Sequence, residues 1–146
     1  GVRGGVRVMS LRTGVVAALA LALGAVTAAA GARVPLREEP HVNDQLLAAQ
    51  IGDILRKTCP DASARYLVVY GKIQALRAYA GDRGYTADEI EAFLDDRAER
   101  QRIKAEAEAY LGAAGAVTGD PESYCRVARD EVRRGTVTGE MLWVGE

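Results

Sequence analysis

The 146-residue sequence predicts an all-α fold: a compact bundle of about four helices, stapled by one disulfide, after a signal peptide. Three observations lead there. Alanine is abundant and is mixed with Leu, Glu and Arg, side chains that lose little rotamer freedom in a helix. Apolar residues recur at spacings of three and four between cap and stop residues. After residue 32 no run of alternating β-branched residues occurs; Leu67-Val68-Val69-Tyr70 comes nearest and sits inside a longer helical pattern.

Residues 1–32 read as a secretory signal. Arg3, Arg7 and Arg12 precede an apolar run from Val15 to Val26, and Ala28-Ala29-Ala30-Gly31-Ala32 supplies small residues for cleavage after Ala30 or Ala32. The apolar run is about 12 residues, against the roughly 20 of a spanning helix. An uncleaved N-terminal anchor is the alternative. Met9 fits a translated start better than Gly1, which makes residues 1–8 an upstream artefact. Without the three signal arginines the remaining 16 of the 19 basic residues face 20 acidic ones. A mildly acidic chain has no basic face for nucleic acid and no polybasic cluster for an anionic membrane.

Residues 33–42, with Pro35 and Pro40, read as an extended leader, since a proline biases its predecessor away from helix. The helical domain is expected over 43–146. Asn43 or Asp44 caps a first helix whose apolar stripe is Leu47, Ile51, Ile54 and Leu55; Arg56 and Lys57 suit its negative end and Cys59-Pro60 stops it. Asp61 or Ser63 caps a second helix to about Asp82. Its residues Tyr66, Val69, Ile73, Leu76 and Ala80 make it the most apolar helix and the expected centre of the core. Gly81 to Gly84 ends it.

Thr86-Ala87-Asp88-Glu89 is a capping box, with Tyr85 and Ile90 as a hydrophobic staple. The third helix buries Ile90, Phe93 and Leu94, loses its stripe from Asp95 to Arg102, and resumes it at Ile103, Ala107, Tyr110 and Leu111. With no Gly or Pro from Ala87 to Leu111, a continuous helix is expected over a break near Asp96. Gly112 to Gly119 is a loop. Asp120 caps and Pro121 opens a fourth helix whose inward residues are Tyr124, Val127, Ala128 and Val132, stopped by Gly135. Residues 136–146 form a tail whose Met141, Leu142, Trp143 and Val144 are too apolar to float freely.

Cys59 and Cys125 are the two cysteines, and in an exported protein two cysteines pair by default. A redox-active or metal-binding pair is the alternative, but redox motifs place their cysteines close in sequence. His41, the single histidine, falls in the leader as an exposed linker residue. Cys and His are too few for a zinc site within one chain. The carboxylates Asp95, Asp96 and Glu99 interleave with arginines as surface pairs, Asp96 with Arg100 and Glu99 with Arg102. Ser63 and Ser123 fit helix first turns as caps, and no Gly-x-Ser-x-Gly, phosphate loop or paired-histidine helix is present in the sequence. No cofactor and no metal site are expected, and the chain does not read as an enzyme.

Pro35-Leu36-Arg37-Glu38, Ile54-Leu55-Arg56-Lys57-Thr58-Cys59-Pro60 and Ser63-Ala64-Arg65 together resemble one family of small exported bacterial proteins. So do Gly84-Tyr85-Thr86 with Glu89-Ile90-Glu91-Ala92-Phe93, and Gly119-Asp120-Pro121-Glu122-Ser123-Tyr124-Cys125. The family is the domain of unknown function fifty-three thirty-three, and the resemblance runs from about Pro35 to Leu142. It implies a signal peptide, a small helical fold and a cysteine pair at these two positions, and no activity. Arg65 and Tyr124 match the pattern without a role attached.

The function expected from these residues is that of a periplasmic or secreted interaction domain or accessory subunit, with an envelope protein or complex as partner. Met141, Leu142 and Trp143 are the candidate anchors; the competing reading packs the tail on its own domain. The alternative function is a small-ligand carrier with Tyr66, Tyr70, Tyr79 and Tyr110 lining a pocket between helices. An enzyme would need a deep pocket holding at least two of Asp53, Asp61, Glu91 and Glu122 with Tyr124 or Arg65. No membrane span is expected after signal cleavage, and the oligomeric state is left open.

Overall fold

A computed structural model describes residues 1, 3–5 and 33–146. Most of the expected signal, including its apolar run and both cleavage sites, lies outside the described residues, and the fold is that of 33–146. Six helices and two short strands succeed one another: α1 (Pro40–Thr58), β1 (Ala62–Ala64), α2 (Tyr66–Asp82), α3 (Ala87–Asp95), α4 (Arg97–Ala113), α5 (Pro121–Arg134), α6 (Val137–Glu140) and β2 (Leu142–Val144). A 3-10 turn at Leu36–Glu38 precedes them.

α1 is the central element and packs against α4, α5 and α6. Its expected stripe is correct: Ile51 and Leu55 are buried, with Leu47 and Ile54 beside them. They meet Ala107 and Leu111 of α4, Val127 and Ala128 of α5, and Leu142 of β2. The Cys59–Cys125 disulfide joins the end of α1 to the N-terminal half of α5, with Cα atoms 4.9 Å apart. A second cluster gathers Leu36, Val42, Ala80, Tyr85 and Ile90 at the other end of α1.

The leader is not extended. Pro40 does keep Glu39 out of the helix (φ −76°, ψ 113°), and this makes Glu39 the cap: its carboxylate accepts from the Val42 amide at 2.6 Å, and α1 starts three residues before Asn43. Asn43, expected as a cap, donates from inside the helix to the carbonyls of Leu36 and Glu39. His41 is exposed, in the first turn of α1, its ring 4.2 Å from that of Tyr79.

The helical reading misses a two-stranded antiparallel ribbon. Ala62 pairs with Val144, Ser63 with Trp143 and Ala64 with Leu142. Backbone bonds from Gly145 to Asp61 (2.9 Å) and from Arg65 to Met141 (2.8 Å) extend it. The ribbon takes the place of the expected caps Asp61 and Ser63, so α2 starts at Tyr66. The expected continuous third helix is two helices. The Asp96 carboxylate caps α4 at the Glu99 amide (2.8 Å), and Arg100 turns back to the Leu94 carbonyl and Asp95 instead of pairing with Asp96. The Thr86 capping box is complete in both directions, and Gly135 ends α5 at φ 62°.

Val132, expected inward, is 39% exposed, and Glu131 is inward instead at 1%. Its carboxylate accepts from Tyr110 (2.5 Å), Arg134 (2.9 Å) and the Thr136 hydroxyl, so α4, α5 and the turn into α6 share one buried charge. α6 lies so close that a Cβ on Gly139 would stand 2.0 Å from the Glu131 carbonyl oxygen; only glycine fits there.

Candidate interaction face

α2 is composed like a core helix and placed like a surface one. Of its 17 residues Ala80 alone is buried. Leu67 is 89% exposed, Tyr66 70% and Tyr70 63%. The expectation that α2 forms the centre of the core is therefore wrong: α1 holds that place, and α2 rests on α1 and α3 along one edge. A solvated surface helix ordinarily turns charge outward. Here the stripe Leu67, Tyr70, Gly71, Gln74, Ala78 and Gly81, at helical spacing, is exposed and carries no charge.

The polar side chains of α2 serve to hold it down at its flanks. Lys72 reaches Glu140 at 2.5 Å and Arg77 reaches Glu91 at 2.9 Å. The Tyr79 hydroxyl donates to Glu39 at 2.7 Å, and the Arg83 guanidinium lies 3.5 Å over the Tyr79 ring. Burial opposes ionisation of Glu39, but the Val42 amide, the Tyr79 hydroxyl and Arg83 outweigh it and hold its carboxyl below its ordinary value. With Lys72 and Arg77 engaged at the flanks, the outward stripe carries no charge.

The tail divides. Met141 and Leu142, expected as partner anchors, are buried in the domain at 4% and 3%, because strand alternation turns Leu142 to the core. Trp143 turns the other way and is 62% exposed, opposite Ser63 and so three residues before the start of α2. Of the three anchors, Trp143 remains available.

The four tyrosines expected to line a pocket do not converge. Tyr66 borders a cavity of about 150 Å³ with Met141 and Leu142, Tyr110 borders another of about 190 Å³ with Glu131, Tyr79 is taken by Glu39, and Tyr70 faces solvent. A groove of about 680 Å³ between α1 and α4 holds Asp53, Lys57, Lys104, Glu108 and Tyr124. Asp53 is claimed there by Lys57 and Arg56, both at 2.6 Å; burial raises its carboxyl, and the two cations more than reverse that. Asp61 and Glu122 meet elsewhere, on Arg129, and Glu91 is with Arg77, so this groove gathers only Asp53 of the four carboxylates an enzyme would draw on. Asp61 also lies within 4.8 Å of both cysteine sulfurs, but these are joined to each other. Ser123 is fully buried, its hydroxyl donating to the Asp120 carbonyl and accepting from the Val117 amide.

Sequence reasoning finds Trp143 from its rarity and misses the α2 face, because hydropathy reports how apolar a helix is and not whether the fold covers it. A family of unknown function (DUF5333) matches residues 34–143. No curated protein and no solved structure matches the chain.

Proposed function

We propose that this chain, which belongs to the family of unknown function DUF5333, is an exported helical protein that acts by binding another envelope protein, without chemistry of its own. The observation that carries this reading is the uncharged face of α2 with Leu67 89% exposed, continued along the chain by the outward Trp143. Large apolar residues gathered on one side of a small domain mark an interaction site, and tryptophan and tyrosine are the side chains that contribute most at such sites.

Export is supported by the order of basic, apolar and small residues in 1–32 and by the disulfide, which persists in oxidising compartments. Among the described residues no helix is long and apolar enough to cross a membrane. The accessory-subunit role is tested by co-precipitation from the native host at natural expression level, with crosslinking before lysis. One envelope protein should come down with the wild-type chain and be lost with Trp143→Ala, while the variant keeps its disulfide and helical content. Recovery of no envelope protein with the wild type refutes the role.

A further inference from the structure

The groove between α1 and α4, about 680 Å³, is of the size of small-molecule sites, roughly 300–1,000 Å³, and its walls are fixed. Thr58 and Tyr124, which line it, are the chain neighbours of Cys59 and Cys125, so the disulfide holds these two sides together. Ala116 and Thr118 come from the loop between α4 and α5, and that loop is pinned. The Ala116 amide donates to the Leu111 carbonyl at 2.9 Å, and the Ser123 hydroxyl accepts from the Val117 amide at 2.8 Å. A ligand entering such a groove has little chain to order.

The charges lining the groove cancel. Lys57 and Lys104 bring two ammonium groups, Asp53 and Glu108 two carboxylates. The carbonyl ends of α1 and α4 also reach it, through Thr58 and Gly112, and oppose an anion; the two lysines oppose a cation. A neutral ligand meets neither penalty.

Hydrogen-bonding capacity, by contrast, is in excess. Lys104 and Glu108 stand 3.9 Å apart, an ion pair too long for a hydrogen bond. Among the described residues the side chains of Gln50, Thr58, Thr118 and Tyr124 make no hydrogen bond within the chain, yet all four line this groove. A hydroxyl both donates and accepts, so one placed between Lys104 and Glu108 serves both. The remaining lining is apolar: Leu111 is buried in the core, and Ile54, Ala116 and the Tyr124 ring pack against the same cluster.

We infer that this groove binds a neutral saccharide of one or two rings. Its hydroxyls meet Gln50, Thr58, Lys104, Glu108 and Thr118, and the C–H face of a ring lies on Tyr124 and the apolar floor. The site is separate from the α2 face and does not depend on the protein-binding role proposed for it.

The test uses the full-length chain with its native disulfide and follows backbone amides by two-dimensional NMR. Maltose and N,N′-diacetylchitobiose are the probes, with inorganic phosphate and putrescine as the charged comparisons. At least one sugar should shift the amides of Thr58, Gly112 and Thr118 with a Kd of about 1 mM or tighter, while phosphate and putrescine do not. Tyr124→Ala should weaken that binding about tenfold or more. Because Tyr124 also packs on the core, Lys104→Ala and Glu108→Ala, at exposed positions, are the second variants; each should weaken it several-fold, and Gln101→Ala, exposed on α4 outside the groove, should leave it unchanged. No shift in the groove with either sugar at about 10 mM overturns the inference. So does binding of phosphate or putrescine in their place, or sugar binding that Lys104→Ala and Glu108→Ala both leave intact.

Discussion

Glu39 shows how one side chain is made to hold a charge where burial disfavours it. It is 7% exposed, yet its carboxyl is held below its ordinary value of 4.5 by the Val42 amide, the Tyr79 hydroxyl and Arg83. A carboxyl depressed by folding stabilises the fold above the unfolded value and stops doing so as pH falls through the folded one. Glu39→Gln should therefore lower stability by a constant amount from neutral pH to about 5, and the gap to wild type should shrink below 4.5. Urea midpoints across that range measure it; a gap that widens in acid refutes the assignment. Glu131 teaches a different lesson at the same scale. Tyr124, Val127 and Ala128 already define an inward stripe whose next member, by helical spacing, is position 131. The preference for an apolar residue favours Val132 instead, and the partners that make a buried Glu131 tolerable, Tyr110 and Thr136, come from other segments.

Among the elements, those fixed by local chemistry are legible in the sequence. The Thr86–Glu89 box, the Asp120-Pro121 start and the Gly135 stop each depend on a few consecutive residues, and all are present. The break between α3 and α4 is signalled by the lapse of the apolar stripe after Leu94, but Asp96 does two jobs there, ending one helix and capping the next, and the sequence has no Gly or Pro to announce it. Asp96→Ala should cost about 1 kcal/mol, the usual value of a lost N-cap, read from thermal or denaturant unfolding. A cost near zero would mean that Arg100, through the Leu94 carbonyl and Asp95, holds the corner alone. The ribbon is illegible for a plain reason. Strands of three residues show too little alternation to be seen, and their pairing is decided by segments far apart in the chain. The exposure of α2 is illegible for the same kind of reason: it depends on which neighbour is absent, and composition does not record that.

For the whole molecule, the mostly helical fold and the disulfide are both readable, since the first follows from residue propensities and the second from two cysteines in a chain that reads as exported. The cysteines are 66 residues apart, and closing a loop of that size removes entropy from the unfolded chain worth roughly 4 kcal/mol, a model-dependent figure. Cys125→Ser should lower unfolding stability by a few kcal/mol, and unreduced protein should weigh about two daltons less than the dithiol form; two alkylatable thiols in native protein would refute the bond. The β1–β2 ribbon closes an even longer loop than the disulfide, and this sets when its part of the fold can form. Helices such as α1 can form as soon as they are made, from contacts within themselves. β1 has no partner until residue 144 has been synthesised, and Leu142 fills the core only then. A chain shorter than that lacks the ribbon and leaves the Leu142 place in the core unfilled, so the last residues made are the ones that close the fold.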